Sequence, residues 1–290
     1  GEIDLFIPVD YPGLNLRLAA RAKRAGVPVL YFIGPQVWAW GNGRLRRMRR
    51  TVDRIAVILP FEREIYEAAG IPVEFVGHPM IAEIPAPGKP AVAPAPGDPF
   101  EVLVFPGSRR HEVSRLAGPL MEAAVRIGSA RPNARFTVGL APMIDESMAP
   151  APAAIAGRTS FIRDGIARLP EAAIVLAASG TVTLQAALSG TPTVVCYRAS
   201  ALSYRLGRCL VKIPWIAMPN VLARRRIVPE LIQGEATGRL IADAALGILD
   251  DPDGYRRMSA ELLALRRLLD GPGAARVAEL ALETATGGGR

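Results

Sequence analysis

The amino-acid sequence predicts an α/β protein built from two parallel-sheet domains. Short apolar runs of strand length alternate with stretches of helical periodicity along most of the 290 residues, a pattern typical of βαβ units. A stretch rich in proline, alanine and glycine, residues 84–99, separates two such series. A chain of this length has room for two domains of ordinary size, so we expect one domain on each side of that linker.

The first series predicts a domain over residues 1–83. Its helices are expected to end at glycine, because Gly26 and Gly70 follow the last periodic residues and glycine commonly caps a helix. An apolar core strand already begins at Ile3, so we expect that upstream sequence is missing and that this domain is incomplete. The predicted strands are 3–9, 27–33, 54–59 and 73–76, and the predicted helices are 14–25, 44–52 and 61–69.

The second series predicts a domain over residues 100–270, followed by a helix within 271–290 that packs back on the first domain. The predicted strands are 102–105, 135–140, 174–177 and 192–197, and the predicted helices are 113–127, 181–188 and 200–211. From residue 230 onward the pattern is almost wholly helical, with helices at 236–249, 255–269 and 274–284.

The composition favours an anionic partner and argues against several classes of site. The 35 Lys and Arg residues outnumber the 27 Asp and Glu residues, and the net charge is +8. Two cysteines and two histidines argue against a disulfide framework, a zinc site and a Ser-His-Asp triad. We expect no metal, no cofactor and a cytoplasmic chain. No apolar run approaches the ~20 residues of a membrane span, and neither the P-loop nor the Gly-x-Gly-x-x-Gly motif occurs.

The turn after the predicted strand 102–105 has the chemistry of a phosphate site. Gly107 permits backbone geometry that is closed to other residues, and Ser108 is a common helix cap. Arg109 and Arg110 follow, where a starting helix already offers free N–H groups and a partial positive charge. The alternative is a solvated helix start that carries two arginines.

Two other strand ends carry polar residues. Asp10 follows the first predicted strand, where a carboxylate is placed to act as a general base, although Asp before Pro-Gly is also a common turn residue. Ser179, Gly180 and Thr181 form a second strand-to-helix turn that suits a phosphate or a sugar, although Ser and Thr are ordinary caps. Gln185 lies about one helical turn further on.

Two basic regions carry apolar and aromatic residues among their arginines. Residues 172–229 contain no acidic residue, and this stretch includes Arg208 and Trp215. A second cluster, six arginines between Arg44 and Arg54, follows Trp38 and Trp40. Such surfaces suit an anionic membrane or an amphiphilic substrate, or a nucleic acid. The alternative is buried core with basic side chains that reach out to solvent.

Seven segments in this order resemble the lipid-A-disaccharide synthase family. The resemblance runs from about residue 3 to about residue 237, and the Trp-Ala-Trp and Pro-Gly-Ser-Arg segments are highly specific in combination. The matching segments are Asp10-Tyr11-Pro12-Gly13-Leu14-Asn15, Pro35-Gln36-Val37-Trp38-Ala39-Trp40, Leu59-Pro60-Phe61-Glu62, Phe75-Val76-Gly77-His78-Pro79, Pro106-Gly107-Ser108-Arg109-Arg110-His111-Glu112, Ser179-Gly180-Thr181-Val182-Thr183-Leu184-Gln185 and Pro219-Asn220.

The resemblance implies a GT-B-type glycosyltransferase with two Rossmann-like domains and a cleft between them. Members transfer 2,3-diacylglucosamine from its UDP derivative to 2,3-diacylglucosamine 1-phosphate, with inversion, and release UDP. Asp10 matches the catalytic aspartate. The implied nucleotide-sugar contacts are Gly107, Ser108, Arg109, Ser179, Gly180, Thr181, Gln185 and Asn220, and the implied acceptor or membrane contacts are Asn15, Trp38, Trp40, Arg208 and Trp215.

The resemblance also implies a setting, and the chain departs from the family at three points. Members work in the cytoplasm at the inner leaflet of the inner membrane of Gram-negative bacteria. No nucleic-acid partner is expected, and a homodimer is compatible with the resemblance.

Gly13 stands where many members have Asp, Gln185 stands where members usually have Glu, and the glycine-rich opening segment of the family is absent. These departures keep open an alternative, a non-catalytic homologue or fragment that binds a nucleotide-sugar or an anionic lipid.

Overall fold

The computed structural model describes residues 3–38, 43–163, 165–200, 204 and 214–287. The strands are β1 (Leu30–Phe32), β2 (Arg54–Val57), β3 (Val73–Phe75), β4 (Phe100–Phe105), β5 (Ala134–Leu140), β6 (Thr159–Arg163), β7 (Ile174–Ala178), β8 (Thr193–Tyr197) and β9 (Glu230–Ile232). The helices are α1 (Pro12–Arg24), α2 (Gly43–Thr51), α3 (Pro60–Ala68), α4 (Met80–Glu83), α5 (Arg110–Ala130), α6 (Thr181–Leu188), α7 (Met218–Ala223), α8 (Gly238–Leu249), α9 (Pro252–Leu269) and α10 (Gly273–Ala285).

The described residues form two compact units. The first contains residues 3–83 and 267–287, and the second contains residues 84–204 and 214–266, each with the gaps given above. Both units are built on parallel sheets, as the alternation of strands and helices predicts. Among the helices of the described residues, none combines the length and the apolar composition of a membrane-spanning segment.

The first unit is a parallel sheet in the order β1-β2-β3 with helices on both faces. One face buries Tyr31 and Ile55 against residues of α1, α2 and α3. The other face buries Leu30 and Ala56 against Leu280 of α10. Ion pairs fix α10 further, because Arg276 donates hydrogen bonds of 2.6 and 3.0 Å to the Glu74 carboxylate.

The prediction of a core strand over residues 3–9 is corrected by the structure. Residues 6–10 run parallel to β1, but only two isolated bridges form, Phe6 to Val29 and Val9 to Phe32. Hydrogen bonds link this segment to β1 on both sides of Pro8. The one missing ladder bond would need an N–H at Pro8, which proline lacks. Ile3 is 67% exposed and Val9 is 50% exposed, so neither belongs to the core.

The second unit is a parallel sheet in the order β6-β5-β4-β7-β8-β9. Counted along the chain, this is the 3-2-1-4-5-6 order of the Rossmann fold, whose switch point lies between β4 and β7. Adjacent residues of β4 serve opposite faces: Val104 packs in the cluster with α5 and α8, while Leu103 packs with Leu169 and Val175. Burial on both faces explains why the central strands are continuous apolar runs.

Three elements of the second unit were not predicted. Strand β6, Thr159–Arg163, carries too few apolar residues to show a buried run. The all-helical pattern predicted from residue 230 is wrong at its start, because Glu230–Ile232 forms β9 against β8. Helix α7 has only six residues, which is too short for a visible period. The helix predicted at 200–211 lies almost wholly outside the described residues.

A close backbone crossing in the first unit generates a stability prediction. Gly77 has a φ of 86°, and a Cβ added there would lie 2.9 Å from the Cα of Gly271. We expect Gly77→Ala to lower the free energy of unfolding by roughly 2–4 kcal/mol through left-handed strain and overpacking. Gly88→Ala, with no atom within 4 Å of the new methyl group, is the control for urea unfolding. Equal free energies of unfolding for Gly77→Ala and Gly88→Ala would contradict the close backbone approach of Gly77 to Gly271.

Candidate functional site

A pocket of about 450 Å³ opens at the carboxyl ends of β4 to β7, beside the switch point of the second sheet. It brings together six of the residues singled out in the sequence: Gly107, Ser108, Ser179, Gly180, Thr181 and Gln185. The two turns converge because β4 and β7 are paired in parallel and end at the same level, with Phe105 opposite Ala177. In Rossmann-type sheets this edge is where nucleotides bind.

The turn after β4 is closed by an acidic side chain. Gly107 has a φ of 125°, and a Cβ there would lie 2.8 Å from the Cβ of Glu112. The Glu112 carboxylate accepts hydrogen bonds from the backbone N–H groups of Ser108, at 3.2 Å, and Arg109, at 3.3 Å. The Arg109 side chain is 70% exposed and donates to Glu112 at 2.8 Å. Arg109 lies next to the pocket but does not line it.

The turn after β7 is held by hydrogen bonds to its surroundings. The Ser179 N–H donates to the carbonyl of Cys196 at 2.8 Å, and its hydroxyl donates to the carbonyl of Ile216 at 3.2 Å. The Thr183 hydroxyl donates to the carbonyl of Gly180 at 2.7 Å. Thr181 is exposed at the start of α6, and Gln185 lines the pocket one turn further along that helix.

Sequence reasoning missed two residues that shape this pocket, Gly139 and Arg163. A Cβ at Gly139 would lie 2.2 Å from the ring of Phe105, so the ring can occupy this place only against glycine. Arg163, the last residue of β6, donates to the carbonyls of Ala141 and Ile144 at 2.9 and 2.6 Å and fixes the loop after β5. A glycine inside an apolar strand is a signal for such a close approach. Arg163 carried no signal, because β6 itself was not predicted.

Asn220 does not line the pocket, because its side chain is fully buried. Its amide donates to the Val228 carbonyl at 3.0 Å and to Glu230 at 2.7 Å, and its oxygen accepts from the N–H groups of Ile227 and Val228. These bonds use both donors and both acceptor positions of the side chain. The role of Asn220 as a nucleotide contact stays a prediction, while the structure shows its side chain fully bonded within the second unit. The sequence missed Glu230, which also accepts from the N–H groups of Ile216 and Ala217.

At the carboxyl edge of the first sheet, Asp10 lies in an unusually strained turn. Asp10 and Tyr11 have φ angles of 44° and 43°, and Ile33, after β1, has a φ of 58°. For a β-branched residue this is a true outlier, and such strain clusters at functional sites. The carbonyl of Asp10 accepts bonds of 2.7 Å from both Asn15 and Tyr31. These bonds hold the backbone while the Asp10 side chain stays exposed.

Trp38 bonds to a buried carboxyl group of the first unit. Its indole N–H donates to Glu62 at 3.0 Å, and its ring meets Phe61 edge-on at 5.3 Å. Glu62 is 2% exposed. Burial raises the pKa of the Glu62 carboxyl to about 7, against the opposing effect of the bond from Trp38. Trp215, in the second unit, is half-buried, and the predicted contacts Trp40 and Arg208 lie outside the described residues.

No group of three or more metal-ligating His, Cys, Asp or Glu side chains lies together within the described part of the chain. The pocket instead offers glycine turns, hydroxyl groups and one amide side chain, with arginines at its margin. These groups suit the hydroxyl and phosphate oxygens of a nucleotide-sugar.

Comparisons with known proteins agree with this geometry. The model of the lipid-A-disaccharide synthetase family matches residues 1–283. A lipid-A-disaccharide synthase of Geobacter metallireducens is 42% identical over 287 residues, which cover 97% of this chain and 75% of that protein. Among solved structures, the glycotransferase of kitacinnamycin matches with a TM-score of 0.58 at 16% identity, covering 97% of this chain and 76% of that one. A putative UDP-N-acetylglucosamine 2-epimerase from Listeria monocytogenes matches with a TM-score of 0.64 at 14% identity. This match covers 99% of this chain and 76% of that one.

Two parallel-sheet units, one in Rossmann order, and the likeness to these solved structures define a protein with the GT-B type of fold. The match to the family model and the 42% identity to a family member show that the chain belongs to the lipid-A-disaccharide synthetase family. It is an enzyme that forms the lipid A disaccharide by glycosyl transfer.

The buried Glu62 carboxyl generates a pH prediction. Its folded pKa of about 7 exceeds the ordinary 4.5, so the folded state holds the proton more tightly than the unfolded chain does. The stabilisation is complete below the ordinary value and is lost as the pH rises through about 7. Between pH about 5 and about 8, the unaltered chain should lose roughly 2–3 kcal/mol of unfolding free energy relative to Glu62→Gln.

The control is Glu67→Gln, which removes an exposed carboxylate of the same helix. Urea unfolding at both pH values measures the difference. If Glu62→Gln and Glu67→Gln follow the same pH profile, Glu62 does not titrate as its burial requires.

Proposed function

We propose that this chain transfers 2,3-diacylglucosamine from UDP-2,3-diacylglucosamine to the 6-hydroxyl of 2,3-diacylglucosamine 1-phosphate. The products are the β-1,6-linked disaccharide and UDP, with inversion at the anomeric carbon. The observation that carries the proposal is the convergence of the turns after β4 and β7 on one pocket at the switch point. Family membership supports the reaction.

The second unit is assigned to the donor. The backbone N–H groups of Ser108 and Arg109 lie at the start of α5, where the helix dipole favours the negative charge of a pyrophosphate. The exposed guanidinium of Arg109 supplies charge as UDP departs. Ser179 and Thr181 offer hydroxyl groups to the donor, and the neutral amide of Gln185 is placed for the ribose hydroxyls.

The first unit is assigned to the acceptor, with Asp10 as general base. The acceptor oxygen forms a bond to the anomeric carbon while its proton passes to the Asp10 carboxylate. The bond from that carbon to the UDP oxygen breaks, and its electron pair leaves with UDP. The contacts of Asn15 and Tyr31 use the Asp10 carbonyl and leave the carboxylate free for this proton. Glu230 acts through the backbone, because it accepts from the N–H group of Ile216, the partner of Ser179, and Asn220 acts through its hydrogen bond to Glu230.

Helix α2 is proposed as a contact with an anionic membrane. Leu45 and Met48 turn toward the first unit, while five arginines are exposed: Arg44, Arg46, Arg47, Arg49 and Arg50. Within the described part of the chain none of the five forms an ion pair with an acidic side chain. An uncompensated cationic face suits the headgroups of the inner leaflet, where the acylated substrates reside.

Replacing the proposed base gives the sharpest test of the reaction. We expect Asp10→Asn to lower kcat for UDP release roughly 10²–10⁴-fold, the range of general-base catalysis, because the amide cannot take the proton. UDP affinity, measured by calorimetry, should stay within about twofold, since donor binding is assigned to the other unit. Asp4→Asn, an exposed carboxylate six positions earlier, is the matched control.

Two outcomes would contradict the proposal. Retention of more than about a tenth of kcat in Asp10→Asn would remove Asp10 as the base, given the range expected for a lost base. UDP binding without turnover by the unaltered chain would favour the alternative, a non-catalytic nucleotide-sugar-binding homologue.

The membrane contact is tested with vesicles of phosphatidylglycerol and phosphatidylethanolamine. The triple variant Arg46→Gln, Arg47→Gln and Arg50→Gln should bind roughly 100-fold more weakly at low salt, at about 1 kcal/mol for each lost charge. The control carries Arg239→Gln, Arg256→Gln and Arg257→Gln, three exposed arginines of α8 and α9. Equal weakening in both triple variants would show that net charge, not helix α2, directs binding.

A further inference from the structure

Glu112 occupies the place in which a phosphate group is expected. Its carboxylate lies above Gly107, the one residue type that leaves this space open, since an added Cβ would lie 3.1 Å from Oε2. Oε2 accepts from the N–H groups of Ser108 and Arg109, and Oε1 accepts from the Arg109 guanidinium. Two oxygens that share a negative charge are thus bound as two phosphate oxygens would be.

The carboxylate is held loosely enough to leave. Its bonds to the two backbone N–H groups measure 3.2 and 3.3 Å, at the long end of the range for such bonds. Its partner Arg109 is mostly exposed, and exposed ion pairs contribute little. Glu112 itself lines the pocket.

A pyrophosphate and the Glu112 carboxylate cannot share these donors. Both are anions, and at a few ångströms their repulsion is substantial where water is partly excluded. Binding of the nucleotide-sugar at this turn therefore requires Glu112 to withdraw, which also releases the Arg109 guanidinium.

We propose that Glu112 is an internal competitor of the donor pyrophosphate. While the pocket is empty, the Glu112 carboxylate accepts hydrogen bonds from the N–H groups of Ser108 and Arg109 and from the Arg109 guanidinium. When the nucleotide-sugar binds, its phosphates take over these donors. When UDP departs, the carboxylate binds them again. This inference rests on the proposed function, because it concerns the same donor pocket. It makes Glu112 a positioning residue that weakens UDP binding and thereby favours product release.

The experiment compares Glu112→Gln with the unaltered chain by calorimetry, with UDP and with uridine as probes. The amide keeps the shape and can still accept from the backbone, but it carries no charge. We expect UDP to bind about tenfold more tightly to the variant, and uridine, which has no phosphate, to bind equally to both. UDP should also inhibit turnover of the variant at about tenfold lower concentration. Glu122→Gln, an exposed carboxylate of the same helix, is the control and should change neither affinity.

The direction of the effect separates competition from a merely structural role. Loss of a helix cap would weaken UDP binding or leave it unchanged, and either result overturns the inference, as does an equal gain for uridine. Thermal melting verifies that Glu112→Gln is folded. If it is not, Glu112→Asp, whose shorter side chain withdraws the charge, must show the same gain for UDP alone. Absence of UDP binding by the unaltered chain would remove the proposed function and this inference together, whereas equal binding by both proteins removes the inference only.

Discussion

The parallel pairing of β4 with β7 is the constraint on which the pocket at the switch point depends. Ladder partners from Val102–Ile174 to Phe105–Ala177 bring both strands to the same edge, so the turns that follow them leave the sheet side by side. These strands are far apart in sequence, and β5 and β6 intervene along the chain. The Rossmann order places the later strands on the opposite side of β4, which opens the crevice in which the pocket lies.

Near Asp10 in the first unit, positive φ angles occur at residues other than glycine, whereas the turn after β4 in the second unit has its positive φ angle at Gly107. Asp10, Tyr11 and Ile33 adopt positive φ angles, each at a cost of about 1–3 kcal/mol. The surrounding contacts overcome this cost: Asn15 and the buried Tyr31 bind the Asp10 carbonyl, and the Asp10 N–H donates to Phe32 of β1. Burial raises the pKa of Tyr31 to about 12, with a contribution from the Asp10 charge, so the phenol stays protonated and remains a donor. The result is a fixed backbone beneath an exposed carboxylate.

Three glutamates stand at helix starts, and their surroundings give them different properties. Glu230 reaches from β9 to the amides before α7 and completes the partners of the buried Asn220. Glu62, in the first turn of α3, is buried with Trp38 as its side-chain partner, so its pKa rises. Glu112, in the first turn of α5, borders the pocket and is bound by exposed groups, the features on which its proposed exchange with a phosphate rests. One local preference, an acidic side chain at a helix N-terminus, thus occurs in a buried support, in a titrating group and at the border of the pocket.

The sequence by itself determined the parallel-sheet architecture and the positions of most strands and helices, because apolar periodicity and glycine caps are local signals. It also identified both pocket turns, since Gly107 and Ser179–Thr181 directly follow apolar strands that can be recognised in the sequence. Tertiary structure alone decided that Asn220 is a buried support, that Arg163 and Gly139 shape the pocket, and that Glu112 binds the backbone N–H groups of Ser108 and Arg109. It also decided that Pro8 interrupts the first strand and that Glu230 begins another. The physical reason is that hydrogen-bond partners and close contacts join residues from separate strands, and their pairing exists only once the sheet has formed.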